Sequence, residues 1–267
     1  VHPYAKYYQQ NKWVEPRPML DDHQWDLVLF MECNDSDPQY PELQLIKAQK
    51  TACWMFDTTY YKDQRLPLVK YFNFNYLFFA NPLSVHQYKS WGWKQSFYLP
   101  YACDPELHGR PLNINKQHDV VLVGSIRDDR RALAKALDRF DIHLELIGDV
   151  YREQYIDALA SGKIVINQNP EEGRGLLNMR FWESQAAGSL VFTEKSDYDI
   201  NVGEGLRDFE ARPYAYVDNL ASQIKHYLEH PKAIEFDTNK ARLLALNNHT
   251  YQNRCKELLH AIQNEVN

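Results

Sequence analysis

The chain has 267 residues, 44% of them hydrophobic and 25% charged, a composition typical of a soluble globular protein with room for one large or two ordinary domains. Its formal charge of −6 argues against general nucleic-acid binding, whose non-specific affinity comes from Lys and Arg neutralising phosphates. No apolar run approaches the roughly 20 residues needed to span a bilayer, and the opening VHPYAKYYQQNKW lacks the apolar stretch of a secretory signal.

In the first hundred residues the apolar runs DLVLFME (26–32), ACWMFD (52–57), YLFFA (76–80) and SFYLP (96–100) have strand length. Between them PELQLIKAQK, the stretch from Gln64 to Tyr71 and PLSVHQYKSW are each long enough for a helix. Near-continuous apolar strands separated by helices predict a parallel sheet covered on both faces. The 18 Tyr and 6 Trp, concentrated before residue 102, read first as core and second as stacking platforms for sugars. Polar residues at these strand ends are Glu32, Asp57 and Asp104. A carboxylate there would suit a general base acting on an acceptor hydroxyl, a step typically worth about 10²–10⁴-fold. Asp57 is the first candidate and Glu32 the second, although Thr58 and Thr59 after Asp57 also fit a helix or turn cap.

Residues 104–117, DPELHGRPLNINKQ, carry two prolines and a glycine without apolar period, which predicts a linker and a division into domains 1–110 and 111–267. A second alternating series follows: DVVLVGS, a helix over Arg130 to Phe140, IHLELIGD, a helix over Tyr151 to Ser161, KIVINQN, and SLVFTE. From Asp218 the tail is helical, with Leu220, Ile224, Tyr227 and Leu228 at helical spacing, Pro231 after the expected stop, and a last helix from about Thr250 to Gln263. Two α/β domains are expected, with ligands at the carboxyl ends of their strands.

The stretch LNMRFWESQAAGSLVFTE (177–194) concentrates the chemistry. Asn178 suits an N-cap and Gly188 the position just past a helix end, so a helix is expected over Met179 to Ala187 with its positive end turned toward a phosphate. Arg180 lies in its first turn and Glu183 one turn later on the same face. The pair fits an arginine on a diphosphate beside a carboxylate accepting two ribose hydroxyls, or else a solvated surface pair. Other strand ends repeat the theme. Gly124 lets a ligand approach the backbone, with Ser125 and Arg127 near phosphate oxygens. Gly148 and Asp149 precede Tyr151, and Asn167 and Asn169 precede the loop from Pro170 to Gly175.

Several chemistries are disfavoured by motif. GxGxxG, GxxxxGK[ST], GxSxG and HExxH are all absent. The four cysteines, Cys33, Cys53, Cys103 and Cys255, have no metal spacing and read as reduced thiols of a cytoplasmic protein. The ten histidines show none either, and His249, after two asparagines, reads as structural capping. The start at Val1 rather than Met is what a piece of a longer protein would show.

GSIRDDRRALAKAL, NMRFWESQAAGSLVFTE, YVDNLASQIKHYLEHP and HTYQNRCKELL occur in an order that resembles the CgeB-like glycosyltransferases, over about residues 118–260. The resemblance implies an α/β fold of GT-B type, two Rossmann-like domains facing a cleft, with the acceptor on the N-terminal side and the nucleotide-sugar donor mainly on the C-terminal domain. It places Gly124, Asn178, Arg180 and Glu183 in the donor pocket, with Glu183 on the ribose and Arg180 on the diphosphate. It implies no metal and no cofactor beyond the donor, a UDP-sugar first among nucleotide sugars, and a glycan or other hydroxyl acceptor. Two departures stand out. The family's opening strand with its glycine-rich turn is missing, so the first domain is expected to be truncated, diverged or continued in an omitted segment. Trp182 and Gln185 replace residues that are commonly smaller or different, which leaves donor identity open.

The expected activity is transfer of a sugar from a nucleoside-diphosphate donor to a hydroxyl. Inversion would call on Asp57 or Glu32 as base, whereas retention requires no protein base. A sugar-nucleotide epimerase or hydrolase of the same fold, or a non-catalytic sugar-binding module, are the alternative readings.

Overall fold

The computed structural model describes residues 24–31, 47–56, 69–70, 72–109, 116–169, 177–194 and 217–264, with the strand backbones at 8–9, 12–13 and 207–209. The chain divides into two compact units, Val1–Tyr98 and Leu99–Asn267. Residues 99–109 belong to the second unit because their backbone is tied to its last helices. The Cys103 N–H donates to the His249 carbonyl at 2.9 Å, and the Tyr251 N–H donates to the Cys103 carbonyl at 3.0 Å.

In the first unit β1 (Tyr8–Gln9) and β2 (Lys12–Trp13) form a short antiparallel pair. Strands β3 (Trp25–Met31), β4 (Ala48–Met55), β5 (Tyr76–Phe79) and β6 (Ser96–Tyr98) form the parallel sheet that the apolar runs predict, and lie in it in sequential order. Helix α1 (Pro82–Ser90) opens on Asn81, whose side chain accepts from the Leu83 N–H at 2.9 Å, with Pro82 at a first-turn position that needs no N–H. Cys53, Met55, Leu77, Phe79, Val85 and Tyr88 build the core, with Phe30, Phe72 and Trp93 packed against it. Core packing is therefore the role of these aromatic rings.

One predicted element is corrected. The end of PELQLIKAQK is strand rather than helix, since β4 starts at Ala48. Its polar first half, residues 48–51, pairs with β3 but lies beyond the end of β5, whose first partner is Ala52. Polar side chains are tolerated at such a half-edge. Glu32, Asp57 and most of the stretch from Gln64 to Tyr71 lie outside the described residues.

The second unit begins with the short helix α2 (Pro105–His108), where the sequence suggests only linker. Its strands β7 (His118–Val123), β8 (Leu144–Ile147), β9 (Gly162–Asn167), β10 (Leu190–Glu194) and β11 (Arg207–Phe209) are all parallel, in the order β11-β10-β9-β7-β8. Helices α3 (Asp128–Asp138), α4 (Glu153–Ser161), α5 (Met179–Ala186), α6 (Val217–Glu229), α7 (Pro231–Asn248) and α8 (Tyr251–Asn264) complete it. Pro231 both follows α6 and opens α7, a helix of 18 residues. Val120, Leu122, Ile164, Ile166 and Phe192 from the sheet meet Leu133 and Leu137 of α3 and Leu220 and Ile224 of α6 in one core.

From β7 the chain passes to β8 on one side, then crosses back to β9 on the other. The reversal leaves a crevice outside the carboxyl ends of β7 and β9, the place where doubly wound sheets bind ligands. Below it, the Lys116 ammonium donates to the carbonyls of Ala160 and Gly188 and to the Ser189 hydroxyl at 2.7–2.9 Å, fixing the ends of α4 and α5 together. Among the described residues no helix is long and apolar enough to cross a membrane.

Candidate functional site

The crevice is built around Gly124, the residue after β7. Its φ of +123° is a conformation that side chains rarely adopt, and a Cβ there would lie 2.7 Å from Arg180 Nη2 and 3.1 Å from Arg130 Nη1. Two guanidiniums therefore lie against a bare stretch of backbone. Arg130 is 2% exposed and donates from Nη1 to the Ser125 carbonyl at 2.6 Å and from Nη2 to the Gln168 carbonyl at 2.9 Å. It ties the segment after β7 to the segment after β9. Arg180 donates from Nη1 to Asn167 Oδ1 at 3.2 Å, which orients it across the same gap. The Gly124→Ala variant is expected to weaken nucleotide binding at least about tenfold, because strain of about 1–3 kcal/mol and displacement of Arg180 act together. Calorimetric titration with a nucleoside diphosphate checks this, and unchanged affinity would remove the close approach from the site.

Helix α5 delivers Arg180 and Glu183. Gly188 at φ +81° ends it in a Schellman arrangement, with Gly188 N–H to Gln185 O at 3.0 Å and Ser189 N–H to Ser184 O at 3.1 Å. Asn178 holds the expected cap position, but its side chain makes no cap bond and donates instead to Asn169 Oδ1. Among the described residues no side chain caps the first turn, and no acidic residue lies in it. The positive end of α5 therefore adds to the two arginines.

Glu183 is no surface residue. It is 6% exposed, accepts from the Tyr155 hydroxyl at 2.6 Å through Oε2, and has Oε1 at 3.6 Å from His108 Nε2. Burial raises its pKa above the usual carboxylate range, opposed by the Tyr155 hydrogen bond and the nearby charges of His108 and Arg180. The solvated Arg–Glu pair considered from sequence is thus excluded.

Of the remaining candidates, Arg127 is close enough for its charge to act on Arg180. Ser125 is exposed, and its carbonyl is occupied by Arg130. Arg127 is engaged at both Nε and Nη2 by Asp129, at 3.1 and 2.8 Å. Tyr151 is 74% exposed at the end of β8, between the left-handed residues Asp149 and Arg152 that delay α4 to Glu153. Asp104, read as a strand-end carboxylate of the first domain, belongs to the second unit and caps α2 by accepting from the Glu106 N–H at 2.9 Å. His249 follows α7, stacks on Trp182 at 3.8 Å and accepts from Arg254, and burial pushes it down to about 4, so it serves structure as a neutral ring. The structure thus brings Arg180 against Gly124 and within reach of the charge of Glu183, with the Asn178 side chain turned to Asn169.

Arg130, His108 and Tyr155 are the site residues that sequence reasoning missed. Arg130 sits in the charged run RDDRR, where its neighbours face solvent, and its only signal was a position one turn after the glycine loop. His108 lay in the stretch read as linker. Chemically, two guanidiniums and a helix N-terminus can hold a diphosphate, while a buried carboxylate with a phenol can receive hydroxyls. Among the described residues no cluster of three or more His, Cys, Asp or Glu is arranged to hold a metal.

A glycosyl transferase-like family model matches residues 110–260, more than half of the chain. No curated protein matches it. Among solved structures it is similar to TarM of S. aureus, with TM-score 0.62, 11% identity, and coverage of 88% of this chain and 54% of that one. It is also similar to Anabaena Alr3699/HepE, solved with UDP and glucose, with TM-score 0.64, 12% identity, and coverage of 90% and 78%. A third is the sucrose-phosphate synthase of Thermosynechococcus elongatus, with TM-score 0.59, 11% identity, and coverage of 90% and 74%. The chain spans about half the length of TarM. At these identities the likeness is one of fold, the α/β GT-B type.

Proposed function

The chain belongs to the glycosyl transferase-like family, and on that premise we propose that it transfers a sugar from a nucleoside-diphosphate donor to a hydroxyl of a glycan or other acceptor. The observation that carries the reading is the placing of Arg180 and Arg130 against Gly124 at the sheet's reversal, with buried Glu183 one helical turn on. Arg180 takes the diphosphate and the departing nucleotide, and Glu183 the ribose hydroxyls, sharing its oxygens with Tyr155 and His108. Positive charge from Arg180, Arg130 and the α5 terminus supports a leaving diphosphate stabilised without a metal. A uridine donor is favoured because HepE of the same fold was solved with UDP.

The finer assignment is a CgeB-like member, supported by the four motifs in order. Residues of the first unit take the acceptor side, with Asp57 or Glu32 as base if the enzyme inverts. Both follow the carboxyl ends of parallel strands, β4 and β3. A cytoplasmic location fits the unbridged thiols at Cys103 and Cys255.

Incubation with a panel of nucleotide sugars tests the reading. Acceptor-dependent release of nucleoside diphosphate is the expected result. Conversion of the sugar without acceptor would assign an epimerase or hydrolase instead, and binding without turnover a recognition module.

A further inference from the structure

Arg180 and Glu183 stand three residues apart on α5, a spacing at which opposite charges on a helix ordinarily meet. Among the described residues they make no ion pair with each other. The Arg180 guanidinium is turned to Asn167 Oδ1, at 3.2 Å, and Glu183 gives Oε2 to the Tyr155 hydroxyl, at 2.6 Å. Tyr155 lies in the first turn of α4, and the Lys116 ammonium fixes the far ends of α4 and α5 to each other. The phenol and the carboxyl therefore meet across two helices already tied together, at the length of a strong O–H···O bond to a carboxylate. Burial holds the phenol well above its ordinary range, so it remains a donor. The other carboxyl oxygen, Oε1, has His108 Nε2 at 3.6 Å, beyond hydrogen-bond distance, and accepts no bond from the described residues.

We propose that Tyr155 is a positioning residue for the ribose: it holds the Glu183 carboxyl off Arg180 with Oε1 left to the sugar hydroxyls, and so gives the site a preference for ribonucleotides over deoxyribonucleotides. The inference rests on the donor-site reading above. Without the phenol, Glu183 has a buried oxygen lacking its partner, which is costly, and a cation one helical turn away. Closing on Arg180 relieves that cost. The closed pair takes the acceptor for the ribose and the donor for the diphosphate out of use together. His108 does not replace the phenol, because its Nε2 lies nearest Oε1. Phenylalanine fills nearly the volume of tyrosine, so Tyr155→Phe removes the hydrogen bond and keeps the packing.

Calorimetric titration of the whole chain with UDP, GDP and ADP in turn identifies the binding nucleotide, and titration with its 2′-deoxy counterpart measures the ribose preference. In the wild type that preference should be about tenfold or more, the worth of one hydrogen bond to a charged group. In Tyr155→Phe both affinities should fall, and the preference should shrink at least about threefold as the carboxyl loses its aim. In a Glu183→Gln background, where the amide forms no ion pair with Arg180, Tyr155→Phe should cost little more. An undiminished preference in Tyr155→Phe, with both affinities lowered alike as a merely structural role would give, overturns the proposal and leaves the donor site intact. The same full loss in the Glu183→Gln background also overturns it. A folded wild type that binds a nucleotide without ribose preference takes Glu183 off the sugar, and this inference falls with it. One that binds none of the three overturns the donor reading as well. If Tyr155→Phe does not fold, a crystal structure of the wild type with nucleotide replaces it. A ribose hydroxyl on Glu183 Oε1, with Tyr155 still on Oε2, is the expected result, and a ribose held by other residues overturns the proposal.

Discussion

Replacing Arg180 with methionine is expected to weaken nucleoside-diphosphate binding by about 10- to 100-fold, the loss of one or two charge-assisted hydrogen bonds of ~1.5–3 kcal/mol. The methionine keeps the aliphatic stem and its packing, so the thermal midpoint should move little. The guanidinium is the part of the side chain that reaches the crevice, beside Gly124 and in reach of Asn167. Lysine should restore only part of the affinity, because a point charge cannot reproduce the planar fork. Calorimetry on the wild type and both variants checks the prediction. Equal affinities would move the diphosphate away from α5 and leave Arg180 as a brace.

The second large effect concerns stability. Trp182 is 1% exposed, stacked on His249 with ring centroids 3.8 Å apart and an interplanar angle of 14°, and packed edge-on against Phe181 at 4.8 Å. Trp182→Ala opens a large cavity at the junction of α5 with the segment between α7 and α8, and should cost about 3–5 kcal/mol. Denaturant unfolding measures it. A loss below about 1 kcal/mol, the range of ordinary surface changes, would mean that the neighbouring rings collapse into the space. From sequence Trp182 stood as a departure bearing on the donor. Its packing directs it into the core.

Much of the second unit was legible because its strands are buried on both faces. Runs such as VVLV and KIVIN carry no polar interruption, and the Asn178 to Gly188 punctuation bounds α5 to within a residue. The helical Arg180–Glu183 spacing was equally visible. Strand order was not, since hydrophobic pattern says nothing of which parallel strand lies beside which, and the ligand crevice is a property of that order. The partners of Glu183 were hidden for the same reason: only the folded chain brings His108 and Tyr155 to one carboxylate. Residues 48–50 misled because half of β4 lacks a neighbour on one side, and there the polar AQK continues the helix-length run PELQLIKAQK.

Arg130 has a mechanical consequence. Its single planar group holds the Ser125 and Gln168 carbonyls at once, so the two segments that flank the crevice move as one body. A cradle with one coordinated motion in place of two independent ones is ordered when the protein folds rather than when a ligand arrives. The entropy that loose loops would surrender on ligand capture has already been given up, which favours a tighter complex for the same set of contacts.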